Sequence, residues 1–237
     1  MTAEGVIVVV PCGGRGSRLR PLTDVTPKPL LPVFGRPVIS YLLDALFDQG
    51  FERILLSVGY GAAEVSEFAQ RLSRRRVSVV QSPITGGCGI MADPTIRWGK
   101  GPILVAYSDV LVVPDLAALL SHHSASGAEL TLTAHPATLK TQACTRLPAD
   151  LDPHGAVVRE VEGGPFWTYA PFAVLELSVI KALVAANLKS VDLVGDVVRL
   201  VPARHTNYFR LDAPVVDIGE AAFAAGLLCA QSSGESG

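Results

Sequence analysis

The chain has 237 residues, of which 49% are hydrophobic and 18% are charged. This composition excludes an intrinsically disordered chain and provides enough apolar side chains for one large core, so we expect a single domain over residues 1–230. The formal net charge of −2 gives no overall positive field that would attract nucleic acid or anionic lipid, so a phosphate ligand would have to be held locally.

The cysteines and the ends of the chain indicate its setting. The first apolar run, at residues 6–10, stops at Pro11 and is far too short to span a membrane. The four cysteines are scattered without a Cys-x-x-Cys pair, which argues against zinc and against a disulfide framework. A cytoplasmic protein fits best, and we expect the small polar residues 231–237 to form a disordered tail.

Apolar runs alternate with helical periodicity along the first half of the chain. This pattern predicts βαβ units and therefore an α/β fold with a doubly wound, mostly parallel (Rossmann-like) sheet. The elements expected in order are a strand at 6–10, a helix at 38–47, a strand at 53–58, a helix at 62–72, strands at 77–81 and 103–107, a helix opened by Pro114, and a strand at 129–134.

After about residue 137 the alternation breaks. Asp152-Pro-His-Gly155 is typical of a turn, so we expect a small antiparallel hairpin insertion within about residues 138–175. The remaining elements expected are a strand at 166–174, helices near 178–186 and 191–200, and strands at 206–211 and 215–218.

A glycine-rich segment follows the first predicted strand directly. It reads Pro11-Cys-Gly-Gly-Arg-Gly-Ser-Arg-Leu-Arg-Pro-Leu-Thr23 and is followed by Thr26-Pro-Lys-Pro29. Its three glycines let the backbone approach a ligand closely and turn successive N–H groups toward anionic oxygens. The segment therefore predicts a phosphate site.

Basic side chains strengthen this interpretation. Arg15, Arg18 and Lys28 place positive charge in the same stretch, and arginine can bind phosphate oxygens through two parallel hydrogen bonds. Two better-known glycine loops are absent: no Gly-Lys-Ser/Thr ends the segment, and the third glycine of the dinucleotide fingerprint is missing.

The pattern Gly-Gly-x-Gly-Ser-Arg-Leu-x-Pro-Leu-Thr with a downstream Pro-Lys-Pro resembles the signature of the sugar-phosphate nucleotidyltransferases, the NDP-sugar pyrophosphorylases. In size the chain is most similar to compact heptose 1-phosphate guanylyltransferases. The similarity continues in chain order through residues 34–38, 53–60, 85–87, 107–109 and 216–219.

The resemblance implies an activity. This activity is the Mg²⁺-dependent transfer of a nucleotidyl group from a nucleoside triphosphate, with GTP favoured, to a sugar 1-phosphate or a cyclitol phosphate. The reaction yields an NDP-sugar and releases pyrophosphate. High-GC bacteria use such enzymes in specialised-metabolite pathways, and relatives are commonly oligomers, so a homodimer is possible. Neither nucleic acid nor membrane is expected as a partner.

The resemblance also implies roles for individual residues. Arg18 would lie at the pyrophosphate leaving group, and Lys28 would lie near the α-phosphate and the sugar phosphate. The remaining nucleotide-binding positions would be Gly13, Gly14, Gly16, Ser17, Gln81, Gly86 and Gly87.

Two aspartates are candidates for a metal site. Asp109 ends a strongly apolar run, and ligands of open parallel sheets collect at the carboxyl ends of strands. Asp217 lies in a second apolar run, and the resemblance assigns Mg²⁺ to this pair. That ion usually takes one or two carboxylates together with substrate phosphates.

The acceptor half departs from the family pattern. Similar enzymes carry Glu-Lys-Pro where this chain has Val161-Glu-Gly-Gly-Pro165, and the usual Gly-Asp is Ser108-Asp109. One hypothesis is an unusual acceptor recognised by other side chains, for which the candidates are Arg159, Trp167 and Tyr169. The alternative is a non-catalytic nucleotide-sugar-binding regulatory subunit. A glycosyltransferase is disfavoured because it would have no use for the triphosphate loop.

Other conspicuous residues are interpreted structurally. Cys12 and Cys88 stand where small residues are expected, so we interpret both as packing residues rather than nucleophiles. His122 and His123 fall at the end of a predicted helix and have no acidic or cysteine partner at metal-ligand spacing, which favours a surface or C-terminal helix role over metal ligation.

Overall fold

The computed structural model describes residues 3–72, 77–137, 150–151, 157–158, 166–211 and 218, with side chains except at 135–137, 150–151, 157–158, 166–170 and 194. The strands are β1 (Ile7–Pro11), β2 (Pro32–Val33), β3 (Arg36–Pro37), β4 (Ile54–Val58), β5 (Val77–Gln81), β6 (Ile103–Ala106), β7 (Leu130–Ala137), β8 (Asp150–Leu151), β9 (Val157–Val158), β10 (Phe166–Leu175) and β11 (Thr206–Arg210). The α-helices are α1 (Leu22–Val25), α2 (Val38–Asp48), α3 (Ala62–Arg71), α4 (Leu116–Ser126), α5 (Leu177–Ala186) and α6 (Val198–Leu200).

Seven strands form one mixed sheet in the order β11-β7-β10-β6-β1-β4-β5. β1 is parallel to β4 and β6, β4 is parallel to β5, and β7 is parallel to β11. β10 is antiparallel to both of its neighbours, β6 and β7. The expected mostly parallel sheet is confirmed.

Helices cover both faces of this sheet, as the doubly wound pattern predicts. Successive residues of a strand point to opposite faces, so Val8 and Val10 pack in the cluster that includes α2, α3 and α4, whereas Val9 packs in the cluster that includes α5. All three valines are fully buried. The apolar run of β1 is therefore continuous because both of its faces are covered.

The helices follow local sequence signals. α2 has its buried residues at helical spacing, namely Val38, Ile39, Leu42, Leu43 and Leu46. α4 begins after Asp115, whose carboxylate accepts a hydrogen bond from the Ala118 N–H at 3.0 Å, and it ends at Gly127 with a φ of 64°. No helix within the described ranges is long and apolar enough to cross a membrane.

The helix expected at 191–200 begins later than predicted and is irregular. A π-helical turn at Leu193–Val197 leads into α6. Val191 is held outside the helix because its N–H donates to the Thr85 carbonyl at 2.9 Å. Asp192 then caps the first turn by accepting from the Gly195 N–H at 2.7 Å.

The hairpin insertion is represented by the antiparallel pairing of β8 with β9. Its expected turn at residues 152–155, the expected strand residues 215–217 and the expected tail at 231–237 lie outside the described residues.

Two histidine–glutamate pairs connect neighbouring elements at the end of the sheet where β7 and β11 begin. His123 lies in the last turn of α4, which agrees with the expected C-terminal helix position, but it is 1% exposed and therefore not a surface residue. Its Nδ1 lies 2.7 Å from Thr131 Oγ1 and its Nε2 lies 3.1 Å from Glu176 Oε1. Burial lowers the pKa of His123, although the hydrogen bond with Glu176 acts in the other direction.

The second pair joins His205 Nδ1 to Glu129 Oε2 at 2.6 Å. Ser178 donates to the other oxygen of Glu129 at 2.5 Å. The hydrogen bonds from Ser178 and His205 lower the pKa of the Glu129 carboxyl. Side-chain contacts at this end of the sheet therefore connect α4, β7, α5 and β11.

Candidate active site

A cleft of about 660 Å³ opens at the carboxyl ends of β1, β4 and β6. This is the end of a parallel sheet where ligands collect, because loops diverge there and leave backbone groups accessible. The cleft is lined by residues 11–19, 28–29, 57–60, 82, 84–87 and 107–109.

The glycine-rich loop forms one wall of the cleft. Close packing explains the glycine at Gly13, and a left-handed backbone conformation explains the glycine at Gly16. A Cβ on Gly13 would lie 2.8 Å from the Gly59 nitrogen, so only glycine lets the loop approach the end of β4. Gly16 has a φ of 60°, and its carbonyl accepts from the Thr23 hydroxyl at 2.9 Å. Gly14 faces open space, so no packing contact within the described residues requires a glycine there.

Both predicted catalytic cations, Arg18 and Lys28, line this cleft. Arg18 lies in the short 3₁₀ turn Ser17–Leu19 and is exposed. Lys28 begins a second 3₁₀ turn, Lys28–Leu30, and its Nζ forms an ion pair with Asp109 Oδ2. The Lys28 and Asp109 side chains are 21% and 10% exposed, so the pair is largely shielded from water.

Asp109 provides an oxygen suited to a metal ion. Its Oδ1 is buried and has no hydrogen-bond partner among the described residues. A buried carboxylate oxygen without a partner is costly, and a hard divalent cation is one ligand that would satisfy it. Asp217 lies outside the described residues, but its neighbour Ile218 donates its N–H to the Asp109 carbonyl at 3.1 Å. Within the described ranges, no group of three or more His, Cys, Asp or Glu side chains is arranged to hold a metal.

Ser108 joins the turn that carries Asp109 to the start of the glycine-rich loop. The recorded pairing of β1 with β6 ends at Val9 and Val105. Beyond that point the Ser108 hydroxyl donates to the Pro11 carbonyl at 2.8 Å. A glycine, the family's residue at this position, could not make this bond.

Both described cysteines are packing residues. Cys12 and Cys88 are buried, free thiols. Burial raises the pKa of each thiol far above its ordinary value, so neither would be a thiolate at neutral pH. The interpretation of these residues as packing rather than nucleophilic groups agrees with that environment.

The wall at residues 84–87 is held by the segment after α5. Gly86 has a φ of 87°, and a Cβ there would lie 2.2 Å from the Val191 carbonyl oxygen. Thr85 donates its N–H to Lys189 at 3.0 Å and accepts from Val191 at 2.9 Å. A Cβ on Gly87 would lie 3.5 Å from the Tyr107 hydroxyl. The backbone hydrogen bonds fix the wall against residues 189–191.

The comparison with protein families settles the family. The model described as "Nucleotidyl transferase" matches residues 7–142, which is more than half of the chain.

The chain belongs to the nucleotidyl transferase family.

Named relatives agree with this assignment. A putative mannose-1-phosphate guanyltransferase of Sulfolobus acidocaldarius is 33% identical over 132 residues, covering 54% of this chain. The N-acetylmuramate alpha-1-phosphate uridylyltransferase of Neisseria meningitidis is 35% identical over 126 residues, covering 52% of this chain. The matches span only 37% and 54% of those relatives' own lengths.

A solved structure shows the same fold over nearly the whole chain. HddC from Yersinia pseudotuberculosis, complexed with GMP-PN, superposes with a TM-score of 0.71 and 19% identity. The likeness covers 97% of this chain and 100% of that one. At this level of identity it establishes the architecture and not the substrate.

The structure separates the predicted nucleotide-binding residues into two groups. Gly13, Gly14, Gly16, Ser17, Gly86 and Gly87 line the cleft together with Arg18, Lys28 and Asp109. Gln81 is exposed at the end of edge strand β5 and is not among the described lining residues. Its neighbour Ser82 lines the cleft instead, held by a hydrogen bond of 2.9 Å to Asp93.

The predicted acceptor-binding residues are described only in part. Arg159 lies outside the described residues. Trp167 and Tyr169 belong to β10, in the part that pairs with β7, opposite Pro136 and Ala134. Their side chains are outside the described set, so their role remains a prediction.

Sequence reasoning missed Tyr60. This residue lines the cleft and lies under Arg15, whose Cζ is 5.2 Å from the centre of the tyrosine ring. The Tyr60 N–H donates to Gly13 at 3.2 Å, and its hydroxyl donates to Thr23 at 2.9 Å. The only sequence signal was its place in the family-like stretch 53–60.

Proposed function

We propose that this nucleotidyltransferase transfers the nucleotidyl group of a nucleoside triphosphate to a sugar 1-phosphate or cyclitol phosphate and releases pyrophosphate. The supporting observation is the convergence of the glycine-rich loop, Arg18, Lys28 and Asp109 on one cleft. Three further proposals are GTP as the donor, a cytoplasmic location and a homodimer.

The reaction needs no covalent enzyme intermediate. An oxygen of the acceptor phosphate attacks the α-phosphorus, and the bond from that phosphorus to the oxygen bridging to the β-phosphorus breaks. The electron pair leaves with pyrophosphate. A phosphate monoester is largely ionised at neutral pH, because its second pKa is about 6, so no general base is required.

The protein's contribution is positioning and charge. Arg18 would bind the β- and γ-phosphates and stabilise the charge that develops on the leaving group. Lys28 would neutralise charge between the α-phosphate and the acceptor phosphate. Cations already in place stabilise such a transition state with little reorganisation.

The donor set fits a divalent cation. Asp109, whose buried Oδ1 has no hydrogen-bond partner among the described residues, would hold Mg²⁺, and Asp217 is the proposed second ligand. When bound, Mg²⁺ would neutralise charge on the phosphate oxygens. Lys28 is paired with the other Asp109 oxygen, so lysine and metal would share one carboxylate.

The relatives support the donor proposal only in part. The Sulfolobus relative is named a guanyltransferase, and HddC was solved with GMP-PN, which supports a guanine nucleotide. The Neisseria relative is named a uridylyltransferase. The described cleft wall at 84–87 offers backbone groups rather than a distinctive side chain for reading the base.

The test is pyrophosphate release with Mg²⁺. GTP, ATP, UTP and dTTP are each offered with a panel of sugar and cyclitol 1-phosphates. Release that requires one donor and one acceptor, and that is lost in Asp109→Ala, would establish the enzyme and both substrates. Asp44→Ala is the matched control, because Asp44 lies on α2, exposed and paired with Arg36.

The regulatory alternative rests on the missing lysine in Val161–Pro165. Calorimetric binding of a nucleotide sugar, with no release from any pair of substrates, would support it and would contradict the enzyme proposal.

A further inference from the structure

Arg15 is a cation of the glycine-rich loop that the family signature leaves unassigned. It stands between Gly14 and Gly16, at the variable position of Gly-Gly-x-Gly, and lines the cleft. Its guanidinium lies over the ring of Tyr60, with Cζ 5.2 Å from the ring centre. This is a cation–π contact, which attracts the guanidinium without consuming all of its N–H donors.

Tyr60 is fixed relative to the loop at two points. Its N–H donates to the Gly13 carbonyl at 3.2 Å, where the loop begins. Its hydroxyl donates to the Thr23 carbonyl at 2.9 Å, and Thr23 is itself bonded to Gly16 at 2.9 Å. The position of the Tyr60 ring is therefore fixed, and the cation–π contact holds the Arg15 guanidinium next to the loop.

Arg15 and Lys28 flank the loop from opposite sides. Tyr60 follows β4 and Asp109 follows β6, and these two strands are the neighbours of β1 on its two sides. Arg15 rests on Tyr60, whereas Lys28 is paired with Asp109. A polyphosphate bound along the loop would therefore meet a cation on each side.

We propose that Arg15 binds the β- and γ-phosphates of the donor, and the pyrophosphate product, and that Tyr60 is the positioning residue that holds Arg15 for this contact. The proposal rests on the proposed function. It makes Arg15 a residue that distinguishes a triphosphate from a monophosphate. Arginine suits this task because its planar donors match phosphate oxygens in pairs.

The experiment is direct binding by calorimetry in the presence of Mg²⁺. The probes are the α,β-methylene analogues of GTP, ATP, UTP and dTTP, each beside the matching monophosphate. The proteins are the wild type, Arg15→Gln, Tyr60→Leu, the double variant, and Arg20→Gln. Arg20 is the matched control because it is exposed, pairs with Asp24 at 3.0 Å and is absent from the described cleft lining.

We expect Arg15→Gln to weaken binding of the triphosphate analogue by about tenfold or more, as for loss of a charged hydrogen bond. Binding of the monophosphate should change less than about twofold, because a monophosphate has no β- and γ-phosphates for Arg15 to contact. Arg20→Gln should alter the binding of neither nucleotide, because Arg20 is absent from the described cleft lining. Tyr60→Leu should weaken triphosphate binding by a smaller factor. The double variant should match Arg15→Gln, because Tyr60 acts through Arg15.

Two results would overturn the proposal. One is an equal effect of Arg15→Gln on the triphosphate and the monophosphate. The other is a double variant whose loss equals the product of the two single losses, which would mean that Tyr60 and Arg15 act independently. A wild type that binds none of the nucleotides would instead contradict the proposed function itself.

Discussion

The fold fixes the position of a single positive charge, that of Lys28, in the cleft. Its backbone lies in a 3₁₀ turn between Pro27 and Pro29, which restrict the chain on both sides. Its Nζ pairs with Asp109, which lies 81 residues further along the chain on the turn after β6. The Lys28 side chain therefore lines the cleft in a position set by the protein itself.

Replacing Lys28 by methionine tests the role of this charge. We expect Lys28→Met to lower kcat for pyrophosphate release by about 10²–10³-fold, as for loss of one preplaced donor in other enzymes. Lys181→Met, at an exposed position of α5, is the control and should retain full activity. A Lys28→Met enzyme within about threefold of wild type would contradict the assigned role.

Alanine substitutions at Gly86 and Gly35 distinguish the cost of backbone strain from the cost of a steric clash. Both have a positive φ, 87° and 76°. A Cβ on Gly35 meets nothing within 4 Å, whereas one on Gly86 meets the Val191 carbonyl oxygen at 2.2 Å. Alanine in the left-handed region costs about 1–2 kcal/mol, so Gly35→Ala should lose about that much stability.

Gly86→Ala should lose clearly more, because the backbone of Val191 would also have to move. Chemical denaturation of both variants gives the two free energies of unfolding. Equal losses would show that the contact with Val191 is soft and that only the backbone conformation matters.

At the scale of elements, the sequence predicted most of the sheet and helix positions but not the arrangement around β10. Apolar runs such as the one in β1 mark buried strands because both faces of the sheet are covered. The insertion of β10 between β6 and β7 depends on long-range pairing, which no local pattern records. The π-helical turn at Leu193–Val197 was also missed, because the bonds of Val191 to Thr85 decide where that helix begins.

The burial of His123 between elements predicts a dependence of stability on pH. Burial lowers the pKa of His123 below its ordinary value of 6.5, so the folded chain binds a proton there less readily than the unfolded chain. Stability should be complete above pH 6.5 and should fall as the pH drops through that value. Glu129, whose pKa is lowered from 4.5, adds a loss of the same sign in more acidic solution.

Urea denaturation between pH 7.5 and 5.5 measures this effect. One such group changes the free energy of unfolding by at most about 1.4 kcal/mol per pH unit. His123→Gln, which keeps a polar side chain near Thr131 and Glu176, should flatten the slope. A slope unchanged in His123→Gln would assign the pH dependence to other groups.

At the scale of the whole molecule, the phosphate half of the site was predictable and the wall beside it was not. Glycines and cations adjacent in sequence identified the loop at 11–19. Tyr60 and Ser82 reach the cleft because β4 lies beside β1 and β5 lies beside β4 in the folded sheet. Gln81, expected to read the base, is exposed at the end of edge strand β5 and is not among the described lining residues.

The buried thiols report on global unfolding. Cys12 and Cys88 lie in the two clusters on opposite faces of the sheet, and burial raises the pKa of both. In a Cys144→Ser, Cys229→Ser variant, we expect no reaction with Ellman's reagent at pH 8 until the chain unfolds, because the thiolate is the reactive species. Rapid labelling of the native variant would show that one of the clusters opens locally.

Asp109 Oδ1, which has no hydrogen-bond partner among the described residues, also affects the lifetime of the protein. A buried polar atom left unsatisfied costs about 1–3 kcal/mol, which is a large part of the stability of an ordinary domain. A ligand that satisfies it, present at 100 times its Kd, would stabilise the folded chain by about 2.7 kcal/mol. Because proteases degrade the unfolded fraction, the abundance of the protein would then rise and fall with the supply of that ligand.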